Sequence, residues 1–209
     1  MPLSDLANLI PVLLLLILSL SVHEAAHAWT ADRLGDPTAR ALGRVTLNPL
    51  AHIDWIGTVL FPIIAATTGA PLIGWAKPVP VNIHNLRAHR RDFGIIAAAG
   101  PASNLAQAVV GAIALAVLYE PSSMDLAARV LRFFVSLNVM LAVFNMIPVP
   151  PLDGGNVLSG VLPEQFARLI DQIRPWGFLV LYALLFSGFV GRFVYPISRS
   201  IYNMLVPVY

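Results

Sequence analysis

His23, Glu24 and His27 are the residues with the clearest chemical capacity. They sit in the run Leu20-Ser21-Val22-His23-Glu24-Ala25-Ala26-His27-Ala28-Trp29 and form the pattern H-E-x-x-H. On a helix, positions four apart share one face, so the two imidazoles can meet one metal ion. Zinc suits two imidazole nitrogens, and a catalytic zinc takes a third protein ligand and a water. Glu24, beside the first histidine, is placed to take a proton from that water. Packing or solvation would explain one histidine at a helix end. The full pattern on a membrane helix favours a metal.

The motif closes an apolar run over 10–22 whose only hydroxyls are Ser19 and Ser21. Ionisable residues at membrane depth are costly to bury, so they point to function. Asp153 is the candidate third ligand. It follows Asn145-Met146-Ile147-Pro148-Val149-Pro150-Pro151-Leu152 and precedes Gly154-Gly155. The prolines end a helix and the glycines let backbone approach closely. A helix N-cap role would explain an aspartate here. It does not explain why this carboxylate is alone in the otherwise uncharged stretch 133–162.

Other polar groups carry weaker signals. His52 and Asp54 could contact metal or substrate, but their spacing fits no ligand motif, and an interfacial pair at a helix start suits them better. His84 and His89 are expected to be solvated in loops. Asn104 lies in an apolar span. It can bond a neighbouring helix or orient the site, and the structural role is favoured.

Composition sets the class. Of 209 residues, 57% are hydrophobic and 11% charged, and mean hydropathy is +0.75. Soluble domains carry about 25% charged residues, so this is an integral membrane protein whose principal environment is the lipid bilayer. One membrane domain over 1–209 is expected, with a core over 5–160 and C-terminal helices over 161–209. A net charge of +2 gives no sign of a nucleic-acid partner. The basic residues sit in short loops beside apolar runs, where they set topology. With no cysteine, a zinc here must use histidine and carboxylate. Before the first apolar run the only side-chain charge is Asp5. A signal peptide wants a basic start, so a retained helix is expected.

The elements that must position these residues follow from the apolar runs. The first helix is expected over 5–30, with the histidines towards the far side of the membrane. Residues 41–49 alternate weakly and could form a short strand. Segment 55–74 is apolar but broken by Pro62, Gly69 and Pro71. Residues 74–82 carry Pro78 and Pro80 and should be extended. Further helices are expected over 93–119, 130–146 and 176–190. An amphipathic piece is expected over 156–174, and the tail, with Tyr195, Tyr202 and Tyr209, suits an interfacial helix. The fold class is therefore an all-α polytopic transmembrane helix bundle.

Parity sharpens the topology. His23 and His27 close the first helix and Asp153 follows the helix over 130–146. To share one ion, both ends must lie on one side of the membrane, with an odd number of crossings between. The helix over 93–119 is one, so segment 55–74 is expected to enter and return, turning near 69–71; the alternative is that it spans and another segment, such as 156–174, corrects the site geometry. The charges agree with a return: Arg33, Arg40 and Arg44 precede the segment and Lys77, Arg87, Arg90 and Arg91 follow it. Both basic loops are then cytoplasmic.

These motifs together resemble the site-2 proteases, intramembrane zinc metalloproteases. The resemblance rests on His23-Glu24-x-x-His27, Gly100-Pro101-x-x-Asn104, and Asn145-x-x-Pro148 followed by Leu152-Asp153-Gly154. Residues 74–80 also resemble compact bacterial members, and the likeness covers about 8–160. It implies that His23, His27 and Asp153 bind one zinc ion per chain, that Glu24 is the catalytic base, and that Asn145 helps hold substrate or the oxyanion. It implies a site facing the cytoplasm, a bacterial inner membrane, and single-pass transmembrane proteins as substrates. The PDZ insertion and regulatory nucleotide-binding pair of larger members have no counterpart in these residues. The rival expectation is a zinc transporter or scaffold, which would need the ligands but gives no reason for Glu24.

Overall fold

The computed structural model describes residues 3–68, 75–120 and 125–206. Among them the regular structure is entirely helical. Four stretches are long and apolar enough to cross a membrane: Ile10–Arg33, His89–Leu118, Leu126–Asn145 and Glu164–Phe186. The expected all-α membrane helix bundle is what forms.

Helix α1 (Leu3–Arg33) is followed by one short turn of helix, α2 (Thr38–Ala41). The expected strand at 41–49 is a loop instead. The Asn48 side chain accepts from Leu50 N at 3.1 Å and caps a 3-10 turn at Pro49–Ala51, which diverts the backbone from strand pairing. Asp36 fastens the connection after α1. Its carboxylate accepts from Thr38 Oγ1 at 2.5 Å, Asn82 N at 2.7 Å and Asn85 Nδ2 at 2.8 Å. Burial alone would raise the Asp36 pKa, but these donors hold it below its usual value.

Segment 55–74 starts where Asp54 caps a π-helical turn, Trp55–Leu60, accepting from Ile56 N and Gly57 N. It continues as α3 (Phe61–Thr68). The expected turn near 69–71 lies outside the described residues. The ends of the segment nevertheless meet: Trp75 N donates to Gly57 O at 3.2 Å, and Thr58 Oγ1 donates to Trp75 O at 2.8 Å. A Cβ on Gly57 would fall 2.4 Å from the Trp75 ring, so only glycine admits this contact. Beyond Trp75, residues 76–82 are free of helix, as the prolines require.

Helix α4 (His89–Leu118) begins a turn earlier than expected, because the Asp92 carboxylate reaches back to Ala88 N at 2.8 Å. It packs against α1, α5 (Leu126–Asn145) and α6 (Asp153–Val161). Its buried face includes Gly94, Ala97, Gly100, Ala108, Gly111 and Ala112, small enough to bring neighbouring backbones close. Ser19 facing Gln107, His23 facing Asn104 and His27 facing Ile96 show α4 running antiparallel to α1.

The amphipathic piece is two helices, α6 and α7 (Glu164–Ile173), parted at Pro163. Helices α8 (Gly177–Phe186) and α9 (Tyr195–Leu205) complete the chain. The tail differs from a purely interfacial helix. Ile201, Tyr202 and Leu205 of α9 pack on Ala108, Ala112, Val135 and Val139. Their spacing puts them on one face of the helix, which seals the α4–α5 seam.

Candidate metal centre

Three side chains from two distant parts of the chain converge inside the bundle. His23 Nε2 and His27 Nε2 are 3.0 Å apart. Asp153, in the first turn of α6, places Oδ2 3.1 Å from His23 Nε2 and Oδ1 3.4 Å from His27 Nε2. One ligand atom from each lies within 4.8 Å of the others, so the group can hold one metal ion.

The surrounding hydrogen bonds decide which ring nitrogens face inward. His27 Nδ1 lies 2.7 Å from the carbonyl of Ile96, which can only accept, so Nδ1 carries the proton. For His23 the assignment runs through a chain of amides. Asn138 Nδ2 donates to the Phe134 carbonyl and to Ser19 Oγ, each at 3.0 Å. Its Oδ1 therefore accepts from Asn104 Nδ2 at 2.9 Å. That leaves Asn104 Oδ1 to accept from His23 Nδ1 at 2.6 Å. With both rings neutral, as metal ligation requires, the two Nε2 atoms present lone pairs to each other and to a carboxylate.

Such an arrangement is unfavourable without a positive charge at its centre. Asp153 Oδ2 is buried with no hydrogen-bond donor. Gly100 of α4 lies directly under the rings, and a Cβ there would come within 2.4 Å of His27 Nε2 and 2.5 Å of His23 Nε2. Two neutral imidazoles and a carboxylate are a donor set that zinc accepts, with room for a fourth ligand. The residues fit that ion.

Asp153 is aimed here by its flanks. A Cβ on Gly154 would fall 2.4 Å from the Met146 carbonyl, and one on Gly155 2.6 Å from Pro150 N. The glycines let α6 fold tightly back against 146–150. Gly94 and Gly160 then bring α4 and α6 into backbone contact, and Arg90 Nη2 donates to Ser159 O at 2.6 Å.

Glu24 follows His23 on α1. Its Oε2 accepts from Val79 N at 3.0 Å, so the extended segment docks on it. Arg44 holds the other side of that segment and is 6% exposed. Burial lowers the Arg44 pKa and the Glu24 charge counteracts this.

Residues 120–188 match the model of Peptidase family M50. Over 200 residues the chain is 34% identical to "Putative zinc metalloprotease YwhC" of Bacillus subtilis (strain 168), covering 92% of this chain and 88% of that one. The chain belongs to peptidase family M50. It is also 30% identical over 197 residues to "Putative zinc metalloprotease Rip2" of Mycolicibacterium smegmatis, covering 94% of this chain and 74% of that one. "Putative zinc metalloprotease MJ0611" of Methanocaldococcus jannaschii is 36% identical over 103 residues, covering 49% and 51%. No solved structure matches. With four apolar stretches of membrane-spanning length among the described residues, this M50 chain is an integral membrane zinc metalloprotease, and the resemblance to site-2 proteases holds at the level of family.

The sequence-derived site residues divide in this M50 protein. His23, His27 and Asp153 come together, and Glu24 lies beside them on α1. Asn145 ends α5, and its Nδ2 donates to Leu141 O of its own helix at 3.0 Å. His52 lies elsewhere, buried, with Nε2 2.8 Å from Thr46 O. Asp54 starts a helix, as expected, and His84 is exposed. His89 is exposed too, but it opens α4. Asn104 takes the orienting role ranked second. Asn138 is not singled out from the sequence, whereas Gly100 figures there only in the Gly-Pro motif and Arg44 only as a loop charge. An amide in the apolar stretch of α5 was the one available signal, for Asn138.

Proposed function

We propose that this metalloprotease hydrolyses peptide bonds within or beside the membrane-spanning segments of other membrane proteins. The observation that carries this reading is the convergence of Asp153 of α6 on His23 and His27, next to Glu24, on the apolar helix α1. In this reading His23, His27 and Asp153 hold one zinc ion per chain. A bound zinc would lower the pKa of its water towards ~7 and polarise the scissile carbonyl.

The chain's own residues would do the rest. Glu24 takes a proton from the attacking water and passes it to the leaving amine. Asn145 turns an amide hydrogen towards the substrate carbonyl oxygen as negative charge builds there. The Asn104–Asn138–Ser19 chain keeps His23 in one tautomer and orientation. A substrate helix hides its carbonyls in hydrogen bonds and must unwind, and the extended segment 75–81 is suited to receive it as an added strand. The basic residues flanking segment 55–74 favour a cytoplasmic site, and the resemblance to compact bacterial members favours a bacterial inner membrane.

Glu24→Gln tests the reading. The variant should keep zinc and lose cleavage. Comparing membrane proteomes of cells carrying the wild type or Glu24→Gln should show uncut single-pass remnants enriched in the variant. Unchanged proteomes together with zinc flux that survives Glu24→Gln would favour a transporter instead.

A further inference from the structure

The stretch Lys77-Pro78-Val79-Pro80 interleaves prolines with residues that keep an amide hydrogen. Only Lys77 and Val79 retain an N–H here. Lys77 N donates to His52 O at 2.8 Å, and Val79 N donates to Glu24 Oε2 at 3.0 Å. The two prolines therefore isolate one donor and leave it aimed at Glu24.

The partner on the other side is Arg44. Its Nη2 donates to Lys77 O and, at 3.4 Å, to Pro78 O. Pro78 O and Val79 N–H belong to one peptide unit. In a trans peptide the C=O and N–H point in opposite directions across a rigid plane. Arg44 pulls on one edge of that plane while Glu24 accepts from the other. Rotating the plane would break both contacts, so the guanidinium determines where the Val79 N–H points. Arg44 is also deeply buried, and its Nε has no partner. Burying a cation so incompletely satisfied is costly, and a loop contact alone gives no return for it.

We propose that Arg44 is a positioning residue for Glu24, acting through the 78–79 peptide plane. It fixes a single N–H on Oε2 and leaves Oε1 as the proton acceptor. This rests on the protease reading, in which Glu24 is the base. The role differs from substrate capture by the same segment, because it concerns the face turned towards α1.

The test uses the full-length protein in detergent with dye-labelled casein as probe, alongside hydrogen exchange of the 75–82 peptide. Arg44→Met should keep zinc content, lower kcat about 10–100-fold and leave KM within about twofold. Arg44→Lys, with three donors for the two carbonyls, should recover most of the loss. Val79→Pro should reproduce the loss and Val79→Ala should not. The Arg44→Met/Val79→Pro double variant should be no worse than the poorer single one, because both act through one plane. Exchange across 75–82 should quicken in Arg44→Met, and this readout stands whether or not casein is cleaved. Unchanged exchange, a rise in KM alone, loss of zinc, or additive losses would each overturn the proposal. Casein cleavage surviving Glu24→Gln would instead remove the base itself, a separate failure.

Discussion

Replacing Gly100 by alanine would add one methyl group at the floor of the metal centre. Its Cβ would stand 2.4 Å from His27 Nε2 and 2.5 Å from His23 Cε1 and Nε2, where ordinary contact needs at least 3.4 Å. Something must give by about 1 Å, against a tolerance of about 0.2 Å in metal–ligand distances. The rings cannot yield freely, since each Nδ1 is bonded to α4 itself, through Asn104 and Ile96. Nor can α4 back away without separating Gly94 from Gly160 and moving Asp153. Alanine is the better helix former by about 1 kcal/mol, so α4 should stay helical. The expected outcome is intact helicity by circular dichroism with zinc affinity lowered about 10–100-fold, or ~1.4–2.8 kcal/mol. Competition with a chromophoric chelator would measure it. A Gly100→Ala protein that binds zinc as tightly as the wild type would refute this account of the ligand set and of how α4 sits beneath it.

Asn104→Leu removes the acceptor for His23 Nδ1 and strands Asn138 Oδ1, so zinc affinity should again fall by about 10–100-fold, read by the same competition. Gly160→Val should force α6 from α4 and weaken zinc binding from about 10 Å along the helix from Asp153, visible as substoichiometric metal after purification. Asp36 makes a prediction about pH. Its folded pKa is depressed, so its stabilisation is present above the unfolded value near 3.8 and is lost as pH falls through the lower folded value. Asp36→Asn should therefore lower Tm at neutral pH by the equivalent of about 1–3 kcal/mol. The gap between variant and wild type should close as the pH drops below 3.8. A constant gap would mean that Asp36 does not titrate as its donors imply.

Several features were legible from the chain because they depend on local spacing or gross hydropathy. Apolar runs of membrane-spanning length fix where helices form, and imidazoles four residues apart must share a helix face. An isolated carboxylate in an uncharged stretch stands out by its cost. Parity led to the expectation that segment 55–74 returns, and what the structure adds is that Trp75 N reaches Gly57 O.

The remaining features depend on register between elements far apart in sequence, which no local pattern encodes. Whether Asn104 meets His23 or merely a neighbouring helix turns on how far α4 slides along α1, and that is decided by the packing of its glycines and alanines. Asn138 becomes part of the metal centre only because α5 lies against α4 at that depth. The Pro-Val-Pro stretch announces an extended backbone, but its one amide finds Glu24 only when Arg44 is buried behind it. Residue types thus settled which chemistry the chain can perform. Close packing of backbones chose the tautomers, the orientations and the partners that would let it proceed.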